Sequence, residues 1–280
     1  MPEGPEVTII AEGLNKLLKD KYILLLEIDP KSRYAKKSPD GFLNFEQNLP
    51  IKVKSVQNKG KLIYWTFDKG IHAFQTLGMS GVWHEFKKPN CSFVLHYKNS
   101  LHPNSQIKQL YFMDQRHFAT MKFIDNQKDF DTKLKSIGPD LLNDKNMNYQ
   151  VFKKIMDKHK EKNIVKVLMD QKYISGIGNY LKSEILYHSG INPHNIIKNI
   201  PESKMKELYQ SARLKIVGSY NKGGASLRHY ADIDDKKGQF EFTFEVYNKK
   251  VDKNGYKVIA EDTLDKRRTY WVKEKQVLYE

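Results

Sequence analysis

The chain has 280 residues, 39% hydrophobic and 29% charged, enough length for about two domains with real cores and too apolar for a disordered tail. No apolar run approaches the roughly 18 residues a spanning helix needs, so no membrane-embedded role is expected. Lys and Arg number 48 against 33 Asp and Glu, a net charge of +15, which points to a polyanionic partner: nucleic acid first, an anionic membrane surface second.

The first ten residues carry Glu3 and Glu6 and no basic stretch ahead of an apolar one, so no secretory leader is expected. An intracellular protein is expected, with nuclear, viral and bacterial settings all open. Cys91 is the only cysteine, so neither an intramolecular disulfide nor a multi-cysteine zinc site can form.

From Pro5 to Lys19, Val7, Ile10, Ala11, Leu14, Leu17 and Leu18 recur at three- and four-residue spacing, which predicts an amphipathic helix. Runs rich in β-branched and aromatic residues follow near 22–28, 51–57, 62–67, 71–76, 79–84, 92–97, 107–113 and 118–124, separated by turn residues. They predict about eight strands in a β-sandwich. The polar stretch 125–136 and Ile137-Gly138-Pro139-Asp140 read as a breaker.

Helical spacing then takes over at Tyr149, Phe152, Ile155 and Met156, and returns in Ile164 to Met169, Tyr180 to His188 and Glu202 to Tyr220. Strand-like pattern reappears in Phe242 to Tyr247, Lys257 to Ala260 and Thr269 to Val272, with Asp252 to Gly255 as the expected hairpin turn. The expected organisation is a sandwich domain over 1–130, a linker over 131–148, a helical domain over 149–239 and a terminal hairpin over 240–280.

Two motifs carry chemistry. Met1-Pro2-Glu3-Gly4-Pro5-Glu6 suits an ordinary helix start, where Pro lacks an N–H that would go unpaired and Glu meets the dipole. Removal of Met1 would instead expose a secondary amine beside two carboxylates. An α-amino group titrates near pH 7.7–8.0, so it is partly unprotonated at neutral pH and can attack an aldehyde-level carbon such as a sugar C1′.

The second motif is Gln171-Lys172-Tyr173-Ile174-Ser175-Gly176-Ile177-Gly178-Asn179-Tyr180. It reads as a tight corner between helices capped by Asn179, or as a helix start whose free amides hold a phosphate.

These motifs stand in one order with Gly60-Lys61, Leu77-Gly78-Met79-Ser80-Gly81, Asp114-Gln115-Arg116-His117-Phe118, Gly190-Ile191-Asn192-Pro193, Gly223-Gly224-Ala225-Ser226-Leu227-Arg228 and Phe244-Glu245-Val246-Tyr247. The set resembles the formamidopyrimidine-DNA glycosylase and endonuclease VIII family across nearly the whole chain. The resemblance implies an α+β fold: an N-terminal β-sandwich carrying the catalytic helix, then a helix–two-turns–helix domain with a β-hairpin finger.

It further implies removal of oxidised bases and cleavage of the abasic strand by β,δ-elimination. Pro2 would be the nucleophile, Glu3 a proton carrier and Glu6 a residue lining the site. Lys61 would touch backbone phosphate, with Lys59 as its competitor. Met79, Arg116 and Phe118 would fill the gap left by an extruded nucleotide, and Asn179 and a finger arginine would grip phosphate.

Most of the family holds its finger with four cysteines around zinc. Here Val272 and Lys275 occupy cysteine positions in Arg267-Arg268-Thr269-Tyr270-Trp271-Val272-Lys273-Glu274-Lys275, so the resemblance is to the zincless branch. It leaves Arg267 or Arg268 as the finger arginine, implies no cofactor or metal, and leans toward oxidised pyrimidines, hydantoins and formamidopyrimidines. The loop Tyr230 to Phe240 corresponds to a segment that closes over the flipped base.

The implied partner is damaged DNA, with duplex and single-stranded forms both open, bound by a monomer. Two rival readings stay open: a non-catalytic helix–two-turns–helix binder, and an abasic lyase using a lysine such as Lys61.

Overall fold

The apolar stripe of the N-terminal segment does form a helix, α1 (Gly4–Leu18), and its Val7, Ile10, Ala11, Leu14 and Leu18 are buried. The computed structural model describes residues 1–87, 89, 91–225 and 239–280. The chain divides into two units. The first takes in Met1–Pro2, Glu6–Ser136 and, of the stretch Gly223–Gly238, the described Gly223–Ala225; the second takes in Glu3–Pro5, Ile137–Lys222 and Gln239–Glu280.

In the first unit α1 is followed by β1 (Tyr22–Ile28), a short helix α2 (Phe42–Gln47), β2 (Ile51–Lys59), β3 (Leu62–Phe67), β4 (His72–Thr76), β5 (Val82–His84), β6 (Cys91–Lys98), β7 (Lys108–Met113), β8 (Thr120–Ile124) and α3 (Gln127–Lys135). All pairings are antiparallel, in the order β5-β7-β6-β1-β2-β3-β4-β8.

Only Tyr22↔Lys52 and Ile23↔Ile51 join β1 to β2, so the strands fall into two four-stranded halves hinged at that seam. The halves face one another. Trp83 of β5 meets Trp65 of β3 with ring centroids 5.9 Å apart, and its Nε1 donates to Gln75 Oε1 of β4 at 3.1 Å. Inward residues of both halves and of α1 share one core. This is the expected β-sandwich with its helix.

Three local readings need correction in this unit. The 79–84 run is a strand only over Val82–His84, because Gly81 N donates back to Leu77 O at 2.7 Å and closes a turn over Met79. Helix α2 has no counterpart among the expected elements; its one buried residue, Phe45, stacks on Phe123 at 4.3 Å. The polar stretch 125–136 is not a breaker but contains α3, whose cap Asn126 accepts from Lys128 N and Asp129 N and whose Phe130 stacks on His72 at 4.1 Å. One buried aromatic anchors each of these helices, too few for a visible period.

The second unit contains α4 (Tyr149–Lys158), α5 (Ile164–Met169), α6 (Asn179–His188), α7 (Glu202–Asn221) and the antiparallel pair β9 (Ile259–Asp262) and β10 (Arg268–Trp271). Asn148 and Asn163 cap α4 and α5 through their side-chain oxygens, and Pro201 precedes α7 as its sequence position suggested. Helix α6 is buried along nearly its whole length, Lys182 and Glu184 included.

The expected strand at Phe242 to Tyr247 is absent: a 3-10 turn covers Phe240–Thr243. The amides of Glu245, Val246 and Tyr247 then donate to the Glu184 carboxylate at 2.9–3.1 Å. A buried side chain there takes the place of a partner strand. Asp252 to Gly255 is the expected turn, closed by an antiparallel bridge between Val251 and Lys257, and the β9–β10 hairpin closes separately, where Thr263 N donates to Arg267 O and Lys266 N to Thr263 O.

Candidate functional site

In the first unit, Pro2 is buried and Glu6 has no exposed surface. A buried carboxylate must be paired, and Glu6 Oε1 accepts from Ala225 N at 2.7 Å, which ties the first turn of α1 to the Gly223-Gly224-Ala225 segment. The Ser226-Leu227-Arg228 end of that motif, and the Tyr230 to Phe240 loop up to residue 238, lie outside the described residues.

Lys61 sits at the tip of the two-residue β2–β3 turn with Gly60, whose φ of +54° suits a tight hairpin that favours glycine. Lys61 is half-buried. Lys59, its sequence competitor, gives its ammonium to Leu134 O at 2.9 Å, neutralising the carbonyl end of α3. Beside this hairpin the unit holds a cavity of about 630 Å³, with Leu62 and Phe74 in its wall and Arg33, Lys37, Lys122 and Lys133 around it. Asp40 and Asp129 line it as well, and Asp40 Oδ2 lies 3.8 Å from Lys122 Nζ, so the rim carries both signs of charge.

Met79, Arg116 and Phe118 come together on two neighbouring loops. Arg116 Nη1 donates to Met79 Sδ at 3.2 Å, and Phe118 and Met79 stay 58% and 36% exposed. Core residues would be covered. A large aromatic and a thioether held in solvent beside a guanidinium form a surface that can insert between stacked rings.

In the second unit, Glu3 is 2% exposed, and its carboxylate closes the N-terminus of α6: Oε2 accepts from Gly178 N at 2.7 Å and Leu181 N at 3.2 Å, and Oε1 from Tyr180 N at 2.9 Å. The helix start thereby meets a negative charge and satisfies its orphan donors. A Cβ at position 178 would lie 2.2–2.6 Å from the Glu3 side chain, so any residue but glycine there displaces the carboxylate from its seat. The Glu3 charge, after burial, also helps push the Tyr247 phenol up to about 12.

Asn179 does not cap α6, as the sequence suggested; Gly178 holds the cap position and Glu3 supplies the acceptor. Asn179 is the first helical residue, and its Nδ2 donates to Arg268 O at 2.7 Å, while its Oδ1 is buried without a hydrogen-bond partner. The amides of Gly178, Tyr180 and Leu181 are engaged by Glu3, which leaves the asparagine, rather than those three donors, as this corner's polar handle.

Arg267 and Arg268 are both exposed, and Arg268 Nε lies 3.7 Å from Asp262 Oδ1 across the hairpin. The finger's donor set does not fit zinc. Cys91, the single cysteine, is on β6, and among the described residues no three of His, Cys, Asp and Glu are grouped to hold a metal. The hairpin is instead pinned from inside: Lys182 Nζ of α6 donates to Asp265 Oδ2 at 2.7 Å, with side chains 0% and 5% exposed, and Thr263 Oγ1 donates to Asp265 Oδ1 at 2.6 Å.

Sequence reasoning overlooked Glu184, Lys182 and Asp265, whose only signal was charge at positions with core-like spacing. Ser80 and Asp114 stand inside the motifs with no expected role of their own.

Residues 1–121 match the family model described as the formamidopyrimidine-DNA glycosylase N-terminal domain, and residues 137–229 that of the formamidopyrimidine-DNA glycosylase H2TH domain. Among similar curated proteins is the formamidopyrimidine-DNA glycosylase of Mycoplasma mobile, 27% identical over 286 residues that span 99% of this chain and 100% of the relative. That of Ligilactobacillus salivarius is 26% identical over 254 residues, 90% and 89% of the two chains.

The fold matches a solved complex between the Lactococcus lactis Fpg and DNA containing an abasic site, with TM-score 0.82, 21% identity and coverage of 98% and 99%. It matches equally a structure of MutM in complex with DNA containing carbocyclic 8-oxo-G, again with TM-score 0.82 and 21% identity.

Proposed function

The chain belongs to the formamidopyrimidine-DNA glycosylase and endonuclease VIII family, and on that premise we propose that it excises oxidised bases from DNA and then cuts the abasic strand. At the coarser level it is a DNA glycosylase of the formamidopyrimidine type that serves DNA repair. The finer reading assigns the chemistry to Pro2 with Met1 removed.

The Pro2 nitrogen bonds to C1′ as the glycosidic bond breaks; the base leaves with that electron pair and takes a proton from solvent. The proton released by the attacking amine passes through Glu3 to O4′ as the sugar ring opens, leaving a C1′ iminium. Loss of a C2′ proton sends electrons toward the iminium nitrogen and expels the 3′ phosphate. Loss of a C4′ proton then expels the 5′ phosphate in a second elimination, and water hydrolyses the remaining iminium to free Pro2.

The observation that carries this reading is the seat of Glu3. A carboxylate next in sequence to the amine is buried and gripped by three amides, so its position is fixed before any substrate arrives. Buried Glu6 on Ala225 supports a second fixed carboxylate for the extruded base, and Lys61 at its hairpin tip supports a phosphate contact. Met79, Arg116 and Phe118 support a wedge for the vacated stack, with Asn179 and Arg268 as phosphate contacts of the second unit.

A finger pinned by Lys182 and Asp265, in a chain with one cysteine, supports the zincless branch and with it a preference for oxidised pyrimidines, hydantoins and formamidopyrimidines. The test compares the processed chain with one that retains a residue ahead of Pro2, on duplexes bearing one lesion each. The processed chain is expected to release the base and nick the strand, and the blocked chain to do neither; equal nicking by both refutes the assignment.

A further inference from the structure

The residues that would wedge into DNA sit on two loops without regular secondary structure, and a loop tip pressed against a base stack yields unless something holds it. One buried carboxylate holds both. Asp114 is 1% exposed, and its Oδ2 accepts from Ala119 N at 2.7 Å, immediately after Phe118. Its Oδ1 accepts from Ser80 Oγ at 2.9 Å and, at 3.4 Å, from Arg116 N. Ser80, 4% exposed and next to Met79, accepts Arg116 N on the same oxygen at 3.1 Å.

His117 N donates to Asp114 O at 3.2 Å, so the backbone from 114 to 119 winds around the Asp114 side chain. From outside, Arg33 Nη1 reaches His117 O at 3.2 Å and Ala119 O at 3.4 Å. Each of the three wedge residues is therefore bonded to this clasp, or adjacent in sequence to a residue that is. His117 sits at φ +56°, a left-handed conformation uncommon for residues other than glycine, which fits a tightly wound turn.

We propose that Asp114, acting through Ser80, is a positioning residue that makes Met79, Arg116 and Phe118 one rigid wedge, so that opening of the duplex, and not the sugar chemistry, depends on it. The inference rests on the DNA-repair reading above and adds to it a pair that touches neither base nor sugar. A carboxylate is the only side chain of this size that accepts on both oxygens. Asp114→Asn leaves its shape and sets an NH₂ against either Ala119 N–H or the Ser80 and Arg116 donors.

The experiment uses the full processed chain and two readouts. The first is fluorescence of 2-aminopurine placed beside a tetrahydrofuran abasic analogue in a duplex, which rises when the stack is opened and needs no chemistry. The second is borohydride trapping on a natural abasic site, in duplex and in single strand.

Asp114→Asn is expected to lose most of the fluorescence rise and to slow duplex trapping about tenfold or more, the scale of one buried unsatisfied group, with single-strand trapping unchanged. Ser80→Ala is expected to lie between it and wild type, and Ser80→Thr, which keeps the hydroxyl, near wild type. An undiminished fluorescence rise in Asp114→Asn overturns the clasp, as does an equal loss of trapping on both substrates. A wild-type chain that opens the stack yet traps on neither substrate overturns the catalytic reading alone.

Discussion

Replacing Glu3 tests the geometry on which the chemistry depends, and its cost follows from counting donors. Three amides at the start of α6 end on this one carboxylate, two on Oε2 and one on Oε1. Glu3→Gln keeps a single acceptor oxygen; placed on the Gly178 and Leu181 side, it sets its NH₂ against Tyr180 N–H and strands one buried donor. At about 1–3 kcal/mol for a buried unsatisfied group, Glu3→Gln costs about 2 kcal/mol.

Glu3→Ala strands all three at a helix end that water can partly refill, a loss of about 3–5 kcal/mol that exceeds the usual cap deletion. Urea denaturation followed by far-UV circular dichroism reads both. The order wild type, Gln, Ala with roughly those gaps is the expected outcome. Two variants within about 0.5 kcal/mol of wild type, the range of a bland surface change, refute the claim that Glu3 closes the helix.

Other consequences are as direct. Lys182→Met leaves the buried Asp265 charge without its ammonium partner, with an expected loss of about 3–5 kcal/mol, whereas Lys182→Met with Asp265→Leu recovers most of it; paired denaturation curves decide, and a double variant no better than the single contradicts the pairing. Arg268→Ala is expected to weaken duplex binding without changing sequence preference and to flatten the salt dependence by about one phosphate contact, measured as log affinity against log salt. Burial pushes the phenols of Tyr149 and Tyr247 up to about 12, with the Glu202 hydrogen bond adding to the first and the Glu3 charge to the second. Their folded-state values lie above the ordinary value of about 10, so the stability tied to the neutral phenols is full below pH 10 and is lost as pH rises from about 10 to about 12. Absorbance at 295 nm against far-UV circular dichroism reads this, and early titration of all sixteen tyrosines in a chain still folded contradicts it.

What the sequence disclosed depends on how far a residue's partner lies along the chain. Helix α1 and the helices of the second unit were legible because their apolar residues repeat within a few positions, and most strands because alternation is local. Phe242 to Tyr247 looked like a strand by composition, yet its amides are claimed by Glu184, about sixty residues away. Helices α2 and α3 each bury one aromatic residue and so leave no period.

The site divides in the same way. Pro2-Glu3 declared its chemistry locally, but the carboxylate's true partners begin 175 residues later, which is why Asn179 looked like the cap. Ser80 and Asp114 meet across 34 residues, and nothing in either loop alone marks the pair.

The central claim is that the reacting amine belongs to Pro2. The measurement that meets it head-on is proteolysis and mass spectrometry of the adduct trapped by borohydride on abasic duplex DNA. The account predicts the sugar remnant on the N-terminal peptide, bonded to the Pro2 nitrogen. A remnant on Lys61, or a chain that forms no adduct while still binding the duplex, contradicts it.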